Sequence, residues 1–156
     1  MKKYILTFIF GFILIQVVVS QTTEQKISII DKHRKEIDDN INNFRMVVRG
    51  NDSIGYRYLY MKNNELQLTI GTYHAPTEKN KDNWYLYNGK LMFCEIVIKN
   101  ADKKDSITID KYYFDNGKLI AWYENGKFLD TNSVKYKNAA AGLPSMEEVL
   151  LKDAKE

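Results

Sequence analysis

The sequence predicts an α+β domain: an N-terminal amphipathic helix packed on an antiparallel meander sheet, with a short C-terminal helix. Three observations carry that reading. Apolar residues recur at three- and four-residue steps over 22–44, and from Arg45 to about Asp130 a period of two replaces them. Three Asn-Gly pairs then punctuate the alternating stretch.

The helix comes first. Ile27, Ile30, Ile37, Ile41 and Phe44 form one apolar stripe, with Arg34 in its missing position. Lys26, Asp31, Lys32, Lys35, Glu36, Asp38 and Asp39 make the polar remainder. Thr22 with Gln25 three residues on is a capping box, which sets the start of the helix. A helix greasy on one side needs a surface to cover.

The sheet supplies that surface. Strand candidates are 46–48, 54–61, 65–73, 84–87, 90–99, 106–114 and 118–123, all rich in Ile, Val, Tyr, Phe or Trp. Asn88-Gly89, Asn116-Gly117 and Asn125-Gly126 supply the positive φ that tight hairpins require, and Lys62-Asn63-Asn64 is a weaker turn. Residues 100–105 read as a charged hairpin loop. Links this short force antiparallel neighbours, since a parallel crossover needs about a dozen residues or more. The Asn-Gly glycines lie 28 and then 9 residues apart, so they mark hairpins built by one rule and not a fixed-period array. Helix and sheet together make two layers over 21–137. Alternation ends after Thr131. Asn138–Gly142 reads as a linker, and Ser145 with Glu148 forms a second capping box ahead of Val149, Leu150 and Leu151, so 138–156 is expected to be linker plus short helix.

Residues 1–20 read as a signal peptide. Met1-Lys2-Lys3 precedes an apolar run from Tyr4 to Val19, and Val18 and Ser20 stand at the −3 and −1 positions before Gln21. The competing reading is an uncleaved anchor, for which the run is short of the roughly 20 residues a span needs. The expected location is periplasmic or secreted in a bacterium, with cleavage near Ser20–Gln21. The whole chain holds 23 Lys and Arg against 20 Asp and Glu, and with Lys2 and Lys3 in the leader the remainder is close to balanced, which gives no footprint for nucleic acid and no membrane-surface stripe.

No catalytic motif is present in the sequence. Cys94, the single cysteine, has no disulfide partner and stands in a strand-like run, where it reads as a small buried residue. His33 reads as a solvated helix residue, and His74 with Glu78 falls short of the three or four ligands a zinc site wants. Asp102, Asp105 and Asp110 do not follow a calcium loop. Glu95, a charge inside an apolar strand, reads as a solvent-facing position or a partner for Arg57 or a lysine on the neighbouring strand, or alternatively as a tuned acid or base. Neither a metal nor another cofactor is called for by any motif.

The aromatic pattern is more informative. Tyr56, Tyr58 and Tyr60 alternate, so all three project from one face of one strand. Tyr85, Tyr87, Tyr113, Tyr123, Trp84 and Trp122 extend that supply from later strands. Tyrosine combines apolar area with a hydroxyl, which suits a binding face, and it equally suits a half-buried strand beneath a helix. The stretch Tyr73–Asn83 is long for a hairpin loop and is the expected contact loop.

A short leader, one amphipathic helix and a Tyr-rich meander carrying Tyr112-Tyr113-Phe114-Asp115-Asn116-Gly117-Lys118-Leu119 resemble the small secreted or periplasmic proteins of unknown function of Bacteroidota-type bacteria. The architecture is similar to that of PepSY-like and beta-lactamase-inhibitor-like proteins. The Asn-Gly-Lys-Leu units also resemble MORN-type repeats. The resemblance implies an inhibitory or binding module and no catalytic residue. The expectation is therefore a non-catalytic extracytoplasmic binding protein that engages a protein or other envelope ligand through Tyr56, Tyr58, Tyr60, Tyr73, His74 and Trp84. Two alternatives stand beside it: an enzyme of unrecognised type built on Glu95 and His74, and a membrane-anchored structural envelope protein.

Overall fold

The structure, a computed structural model, describes residues 21–53, 55–74, 78–100 and 106–155. The expected leader, residues 75–77, and residues 101–105 of the charged loop lie outside the described residues. The α+β arrangement is as expected. Helix α1 (Thr23–Asn40) is followed by strands β1 (Arg45–Asn51), β2 (Gly55–Lys62), β3 (Glu65–His74), β4 (Glu78–Tyr87), β5 (Lys90–Asn100), β6 (Ile107–Asp115), β7 (Lys118–Glu124) and β8 (Lys127–Phe128). Helices α2 (Val134–Gly142) and α3 (Met146–Asp153) close the chain. The eight strands form one antiparallel sheet in chain order.

The N-terminus of α1 forms the expected capping box, in which the Gln25 backbone N–H donates to Thr22 Oγ1 and the Thr22 N–H to Gln25 Oε1. A single 3-10 turn over Ile41–Asn43 leads from α1 into β1. The four two-residue hairpins have positive φ at both central residues, Asn63-Asn64, Asn88-Gly89, Asn116-Gly117 and Asn125-Gly126. That is the twist a two-residue hairpin shares with its strands.

Alternation divides the core into two. Beneath α1 lie Leu68, Tyr85, Met92, Phe93, Tyr113 and Ala121, which meet Ile30 and Ile37 of the helix. Polar ties run the length of that contact. Lys26 pairs with Asp115 at 2.7 Å, Tyr113 donates to Asp31, Arg34 stacks over Phe93 at 4.8 Å, and Tyr85 donates to Asp38 at 2.9 Å. The helix therefore crosses the strands from β6 to β4. Burial, reinforced by the Asp31 carboxylate, pushes the Tyr113 hydroxyl up to about 12.

The opposite face corrects the two-layer expectation. Leu59, Met61, Leu66, Trp84, Leu86, Leu91, Cys94, Tyr112, Phe114, Leu119 and Trp122 form a second core, and Tyr136 of α2 and Leu150 of α3 pack into it. Both faces of the sheet must bury apolar side chains, and the C-terminal helices cover the one that α1 leaves bare. The expected linker at 138–142 is the second half of α2. Its three alanines are the best helix formers available, and Ser133 caps the start by accepting from the Tyr136 N–H. The second capping box does not form, because Ser145 Oγ donates instead to the Gly142 carbonyl at 2.6 Å.

The expected contact loop at Tyr73–Asn83 is corrected as well. Tyr73 and His74 end β3, and 78–83 begin β4, in register Tyr73↔Asn80 and His74↔Lys79. The polar run Asn80-Lys81-Asp82-Asn83 has little strand propensity of its own, but β3 and β5 flank it and satisfy its backbone on both sides.

Candidate binding site

Helices α1 and α3 meet the sheet near the Asn88-Gly89 and Asn116-Gly117 turns, through His33 on Tyr87, Lys26 with Asp115 and Glu147 with Lys90. The opposite end of β1, β2 and β3 is reached, among the described residues, by the last residue of α3. There, among the described residues, Arg49, Gly50, Gly55, Tyr56, Arg57, Tyr73 and Asp153 line a groove of about 410 Å3. Three strands and the last residue of α3 build it.

Arg57 is the pivot of this groove. Alternation points it to the face opposite Tyr56 and Tyr58, where Asp153 meets one guanidinium nitrogen and Tyr73 Oη lies 2.7 Å from the other. Burial disfavours its charge, but the Tyr73 and Asp153 contacts outweigh that cost and hold the guanidinium above its usual range. Arg49 stands directly opposite Arg57 in the β1–β2 register and is exposed. Tyr56 donates to Asp52 in the hairpin, which, with burial, raises its hydroxyl above the usual value.

Asp82 lies behind the groove. Its Oδ2 accepts the Trp84 Nε1–H at 2.6 Å, and its Oδ1 is buried with no hydrogen-bond partner. Burial raises this carboxyl above the usual range, an effect the Trp84 bond and Arg57 only partly offset. Gly71, the cross-strand neighbour of Asp82, makes room for it, since a Cβ at that position would stand 1.9 Å from Oδ1. A second pair repeats the chemistry on β6 and β7, where Trp122 Nε1 donates to the buried Asp110 at 3.1 Å. Both tryptophans thus have their one donor satisfied inside the protein.

The six tyrosine, histidine and tryptophan candidates separate. Tyr56 and Tyr73 line the groove, while Tyr58 stacks at a tilt beside Tyr56 with ring centroids 6.4 Å apart. All three are partly exposed. Tyr60 is also partly exposed and packs against the core beneath α1. Trp84 is 4 % exposed and belongs to the core, so it offers no contact surface in this fold. Its aromatic area goes to packing and its N–H to Asp82. The His74 backbone ends β3, and its side chain lies outside the described residues.

Glu95 pairs with Lys111 on the neighbouring strand at 3.6 Å, beside a second cleft of about 590 Å3 lined by Ile27, Ile109, Tyr113 and Tyr123 among others. Strand register sets its backbone two strands across and four residues along from that of His74, about 16 Å away by strand spacing and rise. The fold does not bring the two together. Cys94 is fully buried, and burial pushes its thiol well above the usual range, so it is poorly disposed to act as a nucleophile. His33 is less solvated than expected: its ring stacks on Tyr87 at 4.0 Å, with Nδ1 3.2 Å from Glu36. Among the described residues, no three His, Cys, Asp or Glu side chains come together as a metal site, and no helix is long and apolar enough to cross a membrane.

Sequence reading missed Arg49, Asp82 and Asp153. The Asp82-x-Trp84 spacing was the available signal for one of them, because residues two apart on a strand share a face. Nothing local announces Asp153, 96 residues from Arg57. Comparison with known protein families, with curated proteins and with solved structures finds no match to this chain.

Proposed function

We propose that this chain is a non-catalytic, extracytoplasmic binding protein, an inhibitor-like or envelope accessory module, that engages a protein ligand at the open end of its sheet. One observation carries the reading. The groove sets two partly exposed tyrosines, Tyr56 and Tyr73, beside Arg49 and Arg57, with Tyr58 next to Tyr56 on the strand face opposite Arg57, at a corner of the sheet that α3 reaches only through its last residue, Asp153. Tyrosine supplies large contact area and a hydroxyl at little entropy cost, and arginine adds guanidinium donors, a combination suited to protein recognition. Arg57 is held in place by Asp153 and Tyr73 before any ligand arrives, which reduces the ordering cost of binding. The basic n-region, apolar run and small residues of 1–20 support export. The resemblance to secreted inhibitory modules points the same way.

The test is capture of partners from envelope extract by the wild-type chain and by a Tyr56→Ser/Tyr58→Ser variant. Capture should be lost while the unfolding midpoint changes little, since both side chains are only partly buried. Undiminished capture contradicts the proposal. Mass spectrometry of the protein recovered from cells should give a chain beginning near Gln21, and an intact Met1–Ser20 segment contradicts export with cleavage.

A further inference from the structure

We propose that β1 is a docking edge for an extended acidic segment of a partner protein, which joins the sheet as an additional strand. The inference rests on reading the chain as a binding module, and it names the class of ligand.

The two edges of the sheet are built differently. β8 is two residues long, and the chain enters α2 after five intervening residues. β1 has seven residues paired with β2 without a bulge, and no described element lies beyond it. Its outer row of N–H and C=O groups is a template for another strand; proline and bulges are missing from it, and its only charges, Arg45 and Arg49, repel a basic strand and leave an acidic one admissible.

Charge selects the occupant. Arg45 and Arg49 are four residues apart, so they share a face about 13 Å apart. Both are exposed, and neither side chain has an ion pair or hydrogen bond among the described residues. No acid stands anywhere in Arg45–Asn51. Arg57 lies directly across from Arg49 and adds to the positive potential, although Asp153 engages it. Like charges opposite one another on a sheet are unfavourable unless something answers them. A second copy would not answer them, because two β1 strands side by side would gather four arginines on one face.

The other face of β1 fixes the rest of the pattern. Met46 and Val48 are 50 % and 43 % exposed, and they continue the rows of Tyr60 and Tyr58 across the register. The fitting segment is therefore extended, with acids four residues apart opposite Arg45 and Arg49, and apolar residues opposite Met46 and Val48. Its side chains would lengthen the tyrosine face and bring one carboxylate to the mouth of the groove at Arg49.

The test uses the full chain labelled with 15N and the peptide acetyl-Thr-Glu-Val-Thr-Val-Glu-Thr-amide. Its amide spectrum should show saturable shifts concentrated on β1, and the same peptide with lysine in place of glutamate should cause none. An Arg45→Glu/Arg49→Glu variant should bind the glutamate peptide about tenfold more weakly, by two reversed cross-strand charge pairs, and should bind the lysine peptide instead. Both arginines are exposed and unpaired, so the variant should fold normally. Equal shifts with the two peptides overturn the inference, as does a concentration-dependent dimer of the chain with β1 at its interface. Envelope capture separates the two claims. Loss of capture on changing Tyr56 and Tyr58, with capture intact in the Arg45→Glu/Arg49→Glu variant, overturns the acidic strand and leaves the binding module standing. Capture unaffected by either change overturns both.

Discussion

The two ends of this sheet are made from the same strands and have opposite fates. At the helix-covered end, Phe93, Leu59 and Leu86 are completely buried, with α1 on one face and α2 and α3 on the other. At the open end, Ile107 and Ile109 are apolar residues in an equally regular strand, yet they stay substantially exposed. Alternation decides which face a side chain takes; only the helices decide which end of the strand is sealed. Stability and recognition are therefore divided along the strands and not between the faces of the sheet.

Substitutions at matched positions sharpen the contrast. The largest effect belongs to Phe93→Ala, expected to destabilise the protein by about 3–5 kcal/mol through lost burial and the cavity left behind. Ile107→Ala at the open end should cost at most about 0.5 kcal/mol, in the range of ordinary surface changes. Urea unfolding of the two variants checks the pair, and similar midpoints would erase the distinction. Gly71→Ala comes next. Its new methyl would press on the Asp82 carboxylate and loosen the bond to Trp84, at a cost of about 1–3 kcal/mol by overpacking. The same unfolding measurement reads it, and wild-type stability would mean that Asp82 moves aside freely.

Tyrosine hydroxyls give a smaller contrast. Tyr85→Phe removes the bond to Asp38 that ties α1 to β4 and should cost about 1 kcal/mol, while Tyr58→Phe at the open end should change thermal stability hardly at all. Equal losses in the two variants would mean that Tyr58 is structural after all.

Asp82 offers a test in pH. Its carboxyl is raised above its ordinary value of 3.8, so the folded state prefers the protonated form. That contribution is complete at pH below the unfolded value and is lost as pH rises through the higher folded value. Asp82→Asn cannot ionise, so its unfolding midpoint should gain on the wild type as pH rises from about 3 toward neutrality. A gap that instead moves against the variant over this range would show that Arg57 and Trp84 stabilise the anion more than burial opposes it.

What the sequence disclosed follows the same division between local and distant causes. The Thr22–Gln25 cap, the Ile stripe and the Asn-Gly turns act within a few residues of themselves, so they were legible. The tyrosine alternation correctly put Tyr56, Tyr58 and Tyr60 on one face, but it held no information on how far α1 reaches, so Tyr60 and Tyr58 looked alike. Trp84 looked like a contact residue because burial beneath α2 and α3 depends on the far end of the chain. The start of β4 was hidden for a related reason: Asn80 to Asn83 are strand residues only because β3 and β5 lie beside them. The groove itself depends on Arg57 meeting Asp153, a contact no local pattern encodes.

Native-state hydrogen exchange tests the division most directly, strand by strand. Amides of Leu91–Cys94 and Tyr112–Phe114 should exchange only through global unfolding, while those of Ile96–Ile98 and Ile107–Ile109, farther along the same two strands, should exchange through local opening at a lower free energy. Uniform protection along β5 and β6 would contradict the account, because the open end would then be as firmly held as the end beneath the helices.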